Sequence, residues 1–122
     1  MYMNREEALT LIKEHISSKI LMKHIFAVEA IMKALAIELG EDIEMWGLVG
    51  LLHDIDFDKT AEEHAKHTIV AEEILTGKVN DEIIRAIKSH NFEYTNVVPE
   101  SNMEMGLIAA DAVSGLIIAC AL

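Results

Sequence analysis

Six residues of this chain combine metal-ligand or acid–base chemistry with positions that helical spacing turns toward an apolar interior: His24, the adjacent pair His53-Asp54, His67, His90 and Asp111. His24 falls in register with Val28, Ile31 and Leu35, and His67 lies over Val70, Ala71 and Ile74. His90 follows Ile83 and Ile87 on the inward side of its helix, and His53-Asp54 directly follows the apolar run Leu48-Val-Gly-Leu-Leu52. Asp111 sits between Leu107 and the group Ser114, Gly115 and Ile118, with no Arg or Lys one turn away. A single histidine on an apolar face is most often a satisfied core residue, and His15, after Leu11 and Ile12, fits that description too. A buried carboxylate is harder to dismiss, because its charge demands a partner, a proton or a cation. Imidazoles and carboxylates aimed at one interior suit one or two divalent ions, and the lack of thiolates removes the usual structural zinc chemistry. The set does not distinguish Mn, Fe, Mg, Zn, Ni or Co. Its donors carry about two negative charges, so two divalent ions would make the site positive and fit it to a phosphate.

About six helices are expected to present these residues, since apolar positions recur at helical spacing almost throughout. Asn4 followed by Glu7 reads as a capping box, and Ala8, Leu9, Leu11, Ile12 and Ile16 form the apolar side of a first helix that Ser17 and Ser18 interrupt. A second helix spans Lys19 to Leu39 and stops at Gly40; Asp42 caps a third, from Ile43 to about His53. Residues 54 to 60 are expected to be a loop, and Thr60 with Glu63 to open a helix reaching Leu75. Asn80 caps a helix from Asp81 to about His90, 91–102 reads as a surface loop, and a last helix starts near Met103. Met105 to Leu122 reads as a buried helix and not a membrane span, because Asp111 near its middle would be costly at bilayer depth.

Composition narrows the class. The 122 residues suit a single domain, with 52% hydrophobic and 25% charged residues and one Pro. Ten Lys+Arg against 21 Asp+Glu leave a net charge of -11, and the basic residues are scattered, which argues against duplex nucleic acid as a partner. Only three Phe, two Tyr and one Trp are present, which disfavours a β-barrel or sandwich. The N-terminal Met-Tyr-Met-Asn-Arg-Glu-Glu lacks the form of an export signal, and Cys120 is a lone cysteine, so a cytoplasmic location is expected.

Five segments, in order, carry a resemblance: Leu21-Met-Lys-His-Ile-Phe-Ala-Val28, Gly47-Leu-Val-Gly-Leu-Leu-His-Asp-Ile-Asp56, His67-Thr-Ile-Val-Ala-Glu-Glu-Ile-Leu75, Ala86-Ile-Lys-Ser-His-Asn91 and Ala109-Ala-Asp-Ala-Val-Ser114. From about Ile20 to Ala119 the chain resembles the HD-domain metal-dependent phosphohydrolases of the HDIG type. The resemblance implies an all-α, single HD-domain bundle that hydrolyses a phosphate ester, such as a nucleotide or related small phosphate compound, with a metal-activated water. It also implies His24, His53, Asp54 and Asp111 as core metal ligands, with His67 and His90 extending the site to a second ion. Asp54 is thereby placed at the reaction, and Lys59 or Lys23 is a candidate to pair with a substrate phosphate, although each reads by default as a solvated surface lysine. Where the family has Gly, this chain has Asp56, which reads either as a further carboxylate near the metal or, with Asp58, as a solvated acidic loop. Asn91 stands where more elaborate members have another His, and Lys59 is the nearest counterpart of a Lys that some members carry. His64, beside Glu63 and Lys66, is expected to be exposed. The rival readings are a non-hydrolytic metal- or nucleotide-binding regulatory HD module and a plain helical interaction module. Related chains continue past the last Asp helix, so 1–122 reads as the HD domain cut short at its C-terminal end, whose apolar helix could support a homo-oligomer.

Overall fold

Capping side chains set where the helices begin. Asn4 accepts the Glu7 N–H while Glu7 accepts the Asn4 N–H, and α1 (Arg5–His15) follows this reciprocal pair. Ser18 caps α2 (Lys19–Leu39) and Asp42 caps α3 (Ile43–Leu52), each accepting an N–H three residues on. Gly40 ends α2 with a φ of 68°, a left-handed conformation that glycine reaches without a Cβ clash. The chain continues through α4 (Phe57–Thr60), a 3-10 turn (His64–Lys66), α5 (Ile69–Leu75), α6 (Asp81–Ser89), α7 (Phe92–Thr95) and α8 (Asn102–Ala121). The computed structural model describes residues 3–121, with side chains as far as Ile117, and no β-strand forms among them. The fold is all-α.

Helix α3 is the axis of the core. Every residue from Trp46 to Leu52 is buried, which is why this stretch has no polar face. It lies along α2 so closely that a Cβ on Gly50 would come 2.8 Å from the backbone of Glu29. Helix α8 packs on α2, and α6 packs on both α3 and α8. Two buried carboxylates tie the outside of this bundle together. Glu29 takes a two-pronged contact from Arg5 at 2.6 and 3.0 Å, and Glu104 binds Arg85 while accepting the N–H groups of Glu100 and Ser101.

Four stretches differ from the sequence-based expectation, the shortest being 92–95, which forms α7 inside the expected 91–102 surface loop. The helix expected from Thr60 to Leu75 is broken: after the 3-10 turn, Thr68 takes a φ of 73°, and α5 starts only at Ile69. Only 54–56 of the expected 54–60 loop is a turn, and an interior one: Asp54, Ile55 and Asp56 are buried and the Phe57 N–H bonds the Asp54 carbonyl at 2.9 Å, while 57–60 is the short helix α4, with Phe57, Asp58 and Lys59 exposed. Among the described side chains of helix α8, Met103, Glu104, Leu107, Ala110 and Ser114 are buried, so the helix is not buried all round; Leu116 and Ile117 are 66% and 57% exposed. Ile118 and the rest of the apolar end, with Cys120, lie outside the residues whose side chains are described. No helix among the described residues is long and apolar enough to cross a membrane.

Candidate metal centre

The bundle brings His24 from α2, His53-Asp54 from the end of α3, and Asp111 from α8 to one point. His24 Nε2 lies 2.8 Å and His53 Nε2 3.2 Å from the same oxygen, Asp111 Oδ1. The two nitrogens are themselves 3.3 Å apart. Asp54 Oδ2 completes this half, 3.4 Å from His24 Nε2 and 3.2 Å from His53 Nε2. The other oxygen of Asp54 faces a second half: Oδ1 is 3.1 Å from His67 Nε2 and 3.4 Å from His90 Nε2, and those nitrogens are 3.1 Å apart. Asp54 therefore divides its two oxygens between two pairs of imidazoles.

The far nitrogens decide what the near ones can do. Nδ1 of His53 donates to the Gly50 carbonyl at 2.7 Å, and Nδ1 of His90 donates to the Ile87 carbonyl. A carbonyl only accepts, so in the neutral ring the proton sits on Nδ1 and Nε2 presents a bare lone pair. His67 reaches the same state by donating Nδ1–H to Asp56 Oδ1 at 2.7 Å, and Nδ1 of His24 pairs with Ser114 Oγ at 3.0 Å. Lone pairs facing one another at these separations repel unless a proton or a cation lies between them. Among the described residues, two groups offer convergent ligand atoms: His24, His53, Asp54 and Asp111, and Asp54, His67 and His90. This is a nitrogen–oxygen donor set that fits divalent ions of intermediate hardness.

Electrostatics give the same reading. The hydrogen bond that His24 Nε2–H donates to Asp111, with help from Asp54, lifts His24 to about 9. Burial pulls His53 down, but Asp54 and Asp111 outweigh it and leave it at about 10. Burial likewise opposes His67, which Asp54 and Asp56 raise to about 9. Burial would raise both carboxylates, yet the histidines around them hold Asp54 and Asp111 below the usual range. The ionised carboxylates demand positive charge, and protons and divalent cations compete for the same nitrogens to supply it. An open cavity of about 510 Å³ lies over the cluster, walled by Ser18, Ile20, Leu21, Phe57 and Gly115 besides five of the six ligand-type residues, His53 being fully buried beneath them.

With this geometry in view, comparison with known proteins is decisive about family. The HD domain matches residues 21–116. The chain belongs to the HD domain family. HD domains form a superfamily of metal-dependent phosphohydrolases that bind divalent metals. Among its relatives are proteins named Ribonuclease Y. That of Lawsonia intracellularis is 34% identical over 96 residues, covering 77% of this chain and 18% of that protein. Those of Staphylococcus epidermidis and Enterococcus faecalis are 37% identical over 95 residues and 34% over 94, again covering 76% of this chain and 18% of theirs. The HD domain here thus spans under a fifth of the length of these relatives. No solved structure gives a significant match.

All six ligand-type residues expected from the sequence of this HD domain meet at the one cluster. Lys59 does not: its Nζ donates to His15 Nδ1 on the exposed contact between α1 and α4, at 2.5 Å. Burial and the neighbouring Lys59 charge both push His15 below the usual histidine value. Lys23 and His64 are exposed. Asp56 is the chief surprise, since it is wholly buried and is no part of a solvated acidic loop. Asp58 is exposed, and there it accepts the Ser17 N–H at 3.1 Å. Asn91, in place of an extra histidine, donates its amide to the carbonyls of His64 and His67 at 3.0 and 2.9 Å and so clamps the broken stretch before α5. The signal for Asp56 was present in its replacement of a motif glycine, a change that adds a carboxylate two residues from Asp54.

Proposed function

We propose that this HD domain hydrolyses a phosphate ester of the nucleotide class with divalent metal held by His24, His53, Asp54 and Asp111 and, in a second position, by Asp54, His67 and His90. The observation that carries this reading is Asp54, whose two oxygens each face a pair of imidazole Nε2 atoms, one pair in each half of the cluster. Bound divalent ions supply Lewis acidity there, easing deprotonation of water and drawing charge from the phosphoryl oxygens. The chain's own part is positional. His53 and His90 are locked by backbone carbonyls, Asp111 holds His24 in line, and Asp54 sets the spacing of the two halves. No Lys or Arg is among the residues lining the cavity, so compensation of phosphate charge falls to the metal. Lys59 would reach a phosphate only by leaving His15. Exposed Phe57 and Ile20 offer the organic part of the ester an apolar wall.

The relatives named Ribonuclease Y favour a phosphodiester, and single-stranded RNA belongs in any substrate panel. The test has two steps. Elemental analysis of the purified protein, before and after chelation and reloading, should find near-stoichiometric metal that Asp54→Ala loses; finding none would sink the metal reading. The Mn-, Mg-, Ni- or Co-loaded protein should then release product from one phosphate class among nucleotides, cyclic nucleotides, short RNA and a generic phosphodiester. Saturable binding without product would instead assign a non-hydrolytic, nucleotide-sensing role.

A further inference from the structure

We infer that Asp56 is a positioning residue for the second half of the metal centre: one of its oxygens fixes the tautomer of His67 while the other holds the start of α5. This rests on the metal reading above. Asp56 has no exposed surface, and both of its oxygens are committed. Oδ1 takes the His67 Nδ1–H at 2.7 Å, and Oδ2 takes the N–H groups of Thr68 and Ala71 at 2.6 and 2.9 Å. The residue at the N-cap position, Thr68, makes no capping hydrogen bond with its own side chain and has a φ of 73°, a strained conformation for a β-branched residue. Helix starts leave orphan N–H groups, and Asp56 supplies the missing acceptor from another segment, with a charge that the helix terminus favours. The same carboxylate therefore turns the chain at His67-Thr68 and dictates which nitrogen of His67 carries the proton. His53 and His90 differ, because carbonyls of their own helices set their tautomers and no side-chain substitution can reverse them.

The isosteric variant Asp56→Asn separates these duties. The two backbone donors require the amide oxygen at the Oδ2 position, so the amide NH2 must face His67 Nδ1 as a donor. His67 is then forced to accept there and to carry its proton on Nε2, pointed at Asp54 and His90. Calorimetric titration with Mn should show two binding events in the wild type; Asp56→Asn should keep the first and weaken the second by about tenfold or more at unchanged melting temperature. Asp58→Asn, on the exposed neighbour, should titrate like the wild type. Two undiminished events in Asp56→Asn would overturn the inference, whereas a wild type that takes up no metal would overturn the metal reading itself. Nitrogen-15 spectra of the metal-free wild type, at an alkaline pH where the imidazoles are neutral, decide the role of Asp56 even if the variant does not fold. A proton on His67 Nδ1 is expected, and a proton on Nε2 would refute the assignment.

Discussion

Each imidazole of the centre has its outer nitrogen engaged by a fixed neighbour, and this is what frees the inner one. The cost is borne in protons. Without metal, His24, His53 and His67 hold theirs to about 9, 10 and 9 because Asp54 faces all three, joined by Asp111 at His24 and His53 and by Asp56 at His67. Metal uptake near neutral pH is therefore expected to release protons, and affinity to rise as pH is raised from 6 toward 9. Titration calorimetry in two buffers of different ionisation enthalpy checks this, and an uptake independent of buffer would contradict it. A stability effect follows with a definite sign. Folded-state values raised above the unfolded histidine value, about 6.5, give stabilisation fully present below that pH and lost as pH climbs through 9 to 10. Chelator-treated protein should accordingly lose melting temperature in that alkaline range, and metal-loaded protein should lose less.

At the scale of elements, close helix approach and one broken helix do the placing. The Gly50 Cα faces the Glu29 backbone across the α2–α3 contact, and the Gly50 carbonyl holds His53 Nδ1. Gly50→Ala is expected to destabilise the fold by about 1–3 kcal/mol, as overpacking does, and to weaken metal binding by shifting His53. Thermal unfolding and metal titration of the variant check both. Gly115 on α8 is the contrast, since a Cβ there would meet nothing within 4 Å. Gly115→Ala should raise stability by about 0.5–1 kcal/mol through backbone entropy alone. The break at His67-Thr68 matters more than any continuous helix would: it puts His67 beside Asp56 and turns its inner nitrogen to Asp54. No local pattern announces a β-branched residue with positive φ, because its cause, the Asp56 carboxylate, lies 12 residues away in sequence.

For the whole molecule, a chain of net charge -11 gathers its key carboxylates around a centre that protons or divalent ions must neutralise. Metal that binds only the folded state should stabilise it by about 2.7 kcal/mol at a hundredfold excess over the dissociation constant. A clear drop in melting temperature on adding chelator checks this, and no drop would count against a built metal site. The sequence by itself determined the all-α class, the caps at Asn4, Asp42 and Asn80, the stop at Gly40, and six ligand-type residues on inward faces. Those features depend on neighbours within a turn or on helical period, which a sequence displays directly. Only the tertiary structure decided that the six side chains meet, that Asp54 splits its oxygens between two pairs of histidines, and that Lys59 sits on His15. It also decided that Asp56 is interior and that α8, among its described side chains, leaves Met105, Val113, Leu116 and Ile117 exposed. A charged residue reads as solvated and an apolar run as buried until the packing of distant elements supplies three donors to one and leaves the other uncovered.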